Sequence, residues 1–572
     1  MSLKTLEIAP NRLLMDSNFD GYKLSLKPIK QSRKSLQVPV EKTCVNPSQY
    51  SIVHVKLLSL HNHLCVDQFD GFSSVYFVDK QLTIQKVYVD AGTNELVDPV
   101  AVYTMSKPRE RLSGDYGVTL RFASADYCVA SDGIGTFYIL ATKDKRDDDQ
   151  FDTLFSGHVL SNESQGFVVS DASFNDAKQE LHVLLLHVQE HGTDGFISII
   201  HWITFKKTQK DWHQVALRQL KTKGEVQYLQ LESDCDHLYV VSENLVVFAL
   251  NSEHPIEETP LASSGKLYHW SQDTDEITVK IPLPETAQKN LLKVSCGGSE
   301  LNVEYNSLRV LSGTFQGSVD SALTTWSLKG DLLEIQLAKA DKEYWTQLLA
   351  GYDEGEQDLS PSYVDEVHNR LQGFTSKREE TPQRGATFNS QPIEECDFET
   401  DKAETFQRIS GVTNKPTHQV HLGSHHVLLS PFLDSQSVPA LGIRHDVDVC
   451  LWQPTWNGQD FTCQHQGTLL AFGYVQASKT NRKFLTCSQN LDYAVVSESA
   501  GHIFIYRQNR PLLTTELRQR STGRRVKRVA EQQVINLSNE SILGIFAGDS
   551  HLFVLGEDFV TAFSMNVNND AL

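Results

Sequence analysis

The chain has 572 residues, 40% hydrophobic and 22% charged, so two or three domains of ordinary soluble composition are expected. Its 72 acidic residues against 52 basic ones give a net charge of −20, which argues against a general affinity for nucleic-acid backbone. No run of about 18 apolar residues occurs and residues 1–38 lack an apolar signal core, so neither a membrane span nor a secretory leader is expected. Nine cysteines without a Cys-x-x-Cys pair predict reduced thiols.

Residues 1–43 are weakly patterned. Within them Tyr22 to Leu26 alternates, and reads as an outer strand closing a sheet contributed by the other end of the chain. From 44 to 262 the chain is a succession of strand pairs. Val75–Val78 pairs with Leu82–Ile84, and Tyr127–Gly133 with Phe137–Leu140. Leu181–Leu186 turns into Phe196–Ile200, and His237–Val241 into Leu245–Leu250. The starts fall at 75, 127, 181 and 237, in steps of 52, 54 and 56 residues.

The pattern resumes from 417 to 566, with pairs starting at 440, 493 and 551. A period in the fifties built of strand pairs fits a four-stranded propeller blade and is too long for a solenoid coil. Four repeats and three make seven. The fold class is therefore all-β: a seven-bladed β-propeller interrupted between its fourth and fifth blades. Two separate β domains are the alternative, but neither flank alone has enough repeats to close.

The interruption, 266–350, alternates at Ile277, Val279, Ile281 and Leu283 and again at Leu333, Ile335 and Leu337, which predicts a compact β-sandwich. Its motifs come in a particular order. Tyr268-x-Trp270-x-Gln272 is followed by Gly313-Thr314-Phe315 with Val319, by Thr325-Trp326-Ser327-Leu328, by Gly330-Asp331-Leu332-Leu333, and by Glu343-Tyr344-Trp345. Together they resemble the CS domain of the NudC family. The resemblance implies a CS-type β-sandwich that binds proteins, acts as a co-chaperone and carries no catalytic residues. Residues 351–416 read as a linker, acidic and without fixed structure at Tyr352–Asp358, with a short helix spaced on Val364, Val367 and Leu371. The phrase Arg444 to Pro454 and the patch Glu394-Glu395-Cys396-Asp397 are similar to long β-rich members of the same family, so the likeness covers most of the chain. Residues 567–572 are a tail.

Motifs for chemistry are weak. Asp132-Gly133-Ile134-Gly135 lies between strands with no helix to hold a phosphate, and reads as a hairpin turn. His418, His421, His425 and His426 lack zinc-site spacing and read as surface and loop residues. Arg444-His445-Asp446-Val447-Asp448 reads as hydrogen bonding within a blade. No catalytic, cofactor or metal residue is assigned. An enzyme with its active site at the central channel is the alternative, but no carboxylate or histidine recurs across the hairpins.

Trp270, Trp326 and Trp345 suit core or edge packing, yet tryptophan is also enriched at interfaces. With Lys329 they are the protein-binding candidates. The stretch Arg518 to Arg528 holds six positive charges in eleven residues, placed between the sixth and seventh blades. Arg524, Arg525, Lys527 and Arg528 are its nuclear-localisation candidates. The resemblance implies partners among folded client proteins, the Hsp90 system and, for some relatives, a DEAH-box RNA helicase. The expected protein is a monomer of cytoplasm and nucleus, without cofactor, membrane or direct nucleic-acid contact.

Overall fold

The computed structural model describes residues 3–107, 109–142, 150–191, 195–209, 211–256, 268–273, 275–283, 289–305, 308–329, 332–340, 345–349, 355–357, 404–423, 425–511, 523, 528–538 and 540–566. They divide into two compact units, Met1–Ile256 with Asp397–Leu572, and Glu257–Cys396.

The first unit is a ring of seven sheets. The first three blades start from Cys65–Val66, Thr119–Phe122 and Val168–Asn175, and each continues by antiparallel hairpins. Their second and third strands read as near-continuous apolar runs, such as Glu180–Glu190, buried from Leu181 to Val188. Such runs are what strands need when neighbouring blades cover both faces. An apolar cluster fills every junction between consecutive blades. The last closes the ring, setting Val75, Phe77 and Val87 of the first blade against Phe553, Leu555 and Val560 of the seventh. Each fully buried valine, leucine or phenylalanine contributes roughly 1.5–3 kcal/mol.

Three N-terminal strands join blades from the far end of the chain. Lys4–Leu6 runs parallel to Lys415–Gly423 on the fourth blade, and Tyr22–Leu24 parallel to Arg528–Asn536 on the sixth. Gln31–Ser35 pairs antiparallel with Phe559–Ser564 and completes the seventh. The strand at Tyr22 is thus an added fifth strand, and the closing strand lies nine residues later. Gln31–Ser35 is wholly polar because it is the outermost strand, so it carries no apolar alternation to read.

The break in the ring lies inside the fourth blade, not after it. Val226–Leu231 and His237–Ser242 precede the inserted unit, whereas Glu404–Ser410 and Lys415–Gly423 follow it, in one sheet. The stretch expected as linker up to 416 is therefore strand from 404 onward. His237–Ser242 does not turn back on Leu245–Leu250. Val247–Asn251 instead pairs with Trp212–Lys223 as a fifth strand of the third blade. The basic stretch also moves, since it connects the third and fourth strands of the sixth blade, His502–Pro511 and Arg528–Asn536. The linker helix near Val364, the patch Glu394–Asp397 and positions 524, 525 and 527 lie outside the described residues.

The inserted unit is a two-sheet sandwich. Its strands are β1 (Tyr268–Gln272), β2 (Glu276–Pro282), β3 (Leu292–Cys296), β4 (Glu300–Tyr305), β5 (Leu308–Thr314), β6 (Val319–Lys329), β7 (Leu332–Lys339) and β8 (Gly355–Gln357). One sheet has the order β6-β7-β2-β1-β8, the other β3-β4-β5. Ile277, Val279, Ile281, Leu333, Ile335 and Leu337 all face the core.

The split blade is stapled by a buried ion pair. Arg408 donates from Nε to Glu232 Oε2 at 2.9 Å, its Nη2 lies 2.7 Å from the same oxygen, and both side chains are 3% exposed. Tyr239 donates to Glu232 Oε1 at 2.8 Å, and the guanidinium lies 4.1 Å from the Trp456 ring centre. Removing one partner strands the other charge, so Arg408→Met is expected to cost roughly 3–5 kcal/mol in denaturant unfolding. Adding Glu232→Leu should restore most of the loss.

The third blade buries His182, His187 and His201, with pKa values pushed down by burial to about 3, about 3 and about 4. Unfolding lets them take up protons, so their stabilisation is complete above the unfolded pKa near 6.5 and declines as pH falls below it. Between pH 7 and pH 5 each should cost about 2 kcal/mol. Asp171, raised to about 6 by burial, works the other way and returns about 1 kcal/mol over the same interval. Denaturant titrations at both pH values should show a net loss, smaller in His187→Phe.

Candidate protein-binding site

The sandwich places the four candidate residues in two environments. Trp270 and Trp345 are 3% and 2% exposed and belong to the core, so they are withdrawn from any partner surface. Gln272 explains the fixed position of Trp345, donating from Nε2 to its carbonyl at 2.6 Å and accepting its N–H at 3.0 Å. Trp326 is only partly buried at the margin of the core, with Lys289 Nζ 5.1 Å from its ring centre. Lys329 lies three residues along on the same strand, 68% exposed and 2.9 Å from Glu334.

Both accessible residues sit on β6, an edge strand of its sheet. Its pairing with β7 breaks between Asp320 and Thr325, which pair with Ala338 and Gln336, so residues 321–324 face a single residue of β7. Asp320 holds this wide bulge, its Oδ1 accepting the N–H of Ala322 at 2.9 Å and its carbonyl the Thr324 hydroxyl at 3.2 Å. Leu323 stands 66% exposed at the bulge, and Leu291 is 40% exposed. Cys296 on β3 lies 3.8 Å from the Thr324 hydroxyl, so β3 adjoins the same margin, and Lys293 on β3 is exposed. The result is an apolar edge at Leu323 and Trp326 with Lys289 beside the ring, while Lys329 alternates onto the other face of β6. An edge strand offers unpaired backbone groups, and the bulge keeps this one from pairing along its whole length. The Cys296 thiol is pushed up by burial, which leaves it a poor nucleophile.

In the propeller, a cavity of about 330 Å3 is lined by the innermost strands of the blades. Its charged groups are bound to the wall. Arg121 donates to the carbonyls of Ser170 at 3.0 Å and Leu120 at 2.9 Å, and Asp171 accepts the Leu231 N–H at 2.7 Å. The Cys65 thiol is raised to about 11 by burial.

Asp132 Oδ1 accepts the N–H groups of Ile134, Gly135 and Thr136 at 2.9 to 3.0 Å, so its glycine loop closes on its own carboxylate and offers no cradle to an anion. Gly133 has φ +77°, and a Cβ there would fall 2.0 Å from the Tyr116 carbonyl. Asp448 accepts the Ala471 N–H at 2.6 Å, a structural tie within the Arg444–Asp448 phrase.

The histidines near 420 do not converge. His418 is buried beside Thr417, a departure from the surface position expected of it, while His426 meets Glu404 at 2.8 Å. Among the described residues, the group with ligand-like spacing is Glu232, Asp234 and His237, which sequence reading missed. Arg408 already neutralises Glu232, and His237 Nδ1 lies 2.8 Å from Asp234, so the cluster is a structural network. Burial raises the Glu232 carboxyl. Burial presses the same way on Asp234, but the hydrogen bonds from His237 and the Asp236 N–H, with the charges of His237 and Arg408, together outweigh it and leave that pKa lowered.

The CS domain family matches residues 266–339. The chain is 30% identical over 592 aligned residues to NudC domain-containing protein 1 of Mus musculus, covering 100% of both chains. It is 30% identical over 583 residues to the protein of that name from Xenopus laevis, covering 97% of this chain and 98% of the relative. Among solved structures, the Cps50 (Swd1) β-propeller domain of Myceliophteria thermophila aligns with 88% of this chain and 97% of its own, at 8% identity and TM-score 0.31.

Proposed function

The chain belongs to the family of NudC domain-containing protein 1, and on that basis we propose that it is a non-enzymatic, protein-binding co-chaperone or adaptor. The observation that carries the reading is the bulged edge of the CS sandwich, where Leu323 and Trp326 are presented with Lys289 beside the ring. Such an edge suits folded clients with exposed apolar or acidic segments, the aromatic ring anchoring and Lys289 steering. The propeller supplies a second surface. Engaging one partner through both units would raise the effective concentration of the second contact, within the reach of the connections.

The finer parts of the proposal rest on the family resemblance. They are that clients include a DEAH-box RNA helicase, that the protein hands clients to the Hsp90 system, and that RNA is met through the helicase and not through this acidic chain. The basic stretch Arg518 to Arg528 supports an assignment to the nucleus as well as the cytoplasm.

Affinity purification with mass spectrometry, comparing the full chain with one lacking 257–396, tests the reading. This cut removes all eight strands of the sandwich, including β8. A helicase or chaperone retained by the full chain and lost on deletion is the expected result; partners that persist would make the propeller the recognition surface. In the full chain, Trp326→Ala should weaken client binding about tenfold or more, the cost of an interface anchor, with the sandwich still folded by near-UV circular dichroism.

A further inference from the structure

The two edges of the larger CS sheet are treated differently. Among the described residues β6 has no strand on its outer side and is bulged, whereas the opposite edge, β1, is covered by β8, a strand drawn from the acidic stretch expected to lack fixed structure. The register is parallel, with Tyr268 beside Gly355, His269 beside position 356 and Trp270 beside position 357. On its other side β1 pairs antiparallel with β2, setting His269 beside Lys280. Position 356 is a glutamate, and the stretch reads Tyr352-Asp353-Glu354-Gly355-Glu356-Gln357-Asp358, with four acidic residues in seven. Position 356 therefore lies in register with His269, and the row continues through Lys280 on β2 to Glu334 on β7.

Three residue pairs make a short strand, and short added strands on an exposed edge are displaceable. We propose that the β1 edge is a docking groove for an extended acidic segment of a partner protein, and that Gly355–Gln357 occupies it in cis until such a segment displaces it. Main-chain pairing along β1 supplies the affinity, and His269 beside position 356, with the Lys280 charge one strand beyond, supplies the preference for acid. The mode differs from the bulged β6 edge, where binding rests on Leu323 and Trp326. It deepens the reading of the CS sandwich as a protein-binding module, on which it rests.

The test uses the full chain and a labelled peptide of the sequence Tyr-Asp-Glu-Gly-Glu-Gln-Asp, read by fluorescence anisotropy. Glu356→Pro removes a backbone N–H and disfavours the cis strand. This variant is expected to bind the peptide at least about tenfold more tightly than the unaltered chain, because competition from the tethered strand is gone. Adding Lys280→Gln, which removes a charge one strand beyond β1, should weaken that binding about twofold. Amide hydrogen exchange at Tyr268–Trp270 should speed up in Glu356→Pro and slow again when the peptide is added, which also reports that the sandwich is folded. Equal peptide binding by the two chains, no binding by either, or unchanged exchange at β1 would overturn the proposal. No client is needed, so loss of partners on deleting 257–396 together with failure of the peptide would remove this groove alone and leave the co-chaperone reading in place.

Discussion

The ring depends on pairing between strands that the chain keeps far apart. His237–Ser242 must find Glu404–Ser410 across an entire inserted domain, and Gln31–Ser35 must find Phe559–Ser564 across nearly the whole sequence. Blades are buried on both faces, so an incomplete fourth or seventh blade would leave its neighbours' apolar faces in water. The Arg408–Glu232 pair sits at the first of these seams, joining residues from the two sides of the insertion, both closed off from solvent.

That constraint has consequences for the inserted unit. The sandwich has its own continuous core and forms a compact unit separate from the ring. The fourth blade has only two of its core strands until residues beyond 404 are made. Long-range β pairing of this kind is slow and exposes edges while it waits. The strands added outside the third, fourth and sixth blades cover some of those edges.

The two sheet edges of the sandwich divide its binding chemistry. At β6 a carboxylate-held bulge lifts Leu323 outward and leaves Trp326 half-covered under Lys289, an apolar contact with a lysine beside it. At β1 the main chain itself is the recognition element, covered by a segment of the same chain. On the proposed reading, one small fold would meet partners of different shapes, through side chains on one margin and backbone on the other.

Much of this was legible in the sequence where the determinants are local. Alternation at Ile277, Val279 and Ile281 follows from a sheet with one buried face, and the recurring strand pairs predicted seven blades because each blade repeats the same hydrophobic code. Trp326 and Lys329 were named with Trp270 and Trp345, and only packing separates them: two tryptophans fill the core while the third meets its margin. The bulge at 321–324 has no sequence signature, because it arises from the mismatch between β6 and β7. Composition made Gly355–Gln357 look like linker, since an edge strand needs hydrogen-bonding backbone and no apolar side chains. By itself the sequence determined the all-β class, the blade count and the identity of the inserted sandwich. The tertiary structure decided which strands pair across the insertion, which strand closes the ring and which sheet edge stays open, because hydrogen bonds between distant strands leave no periodic trace in either partner.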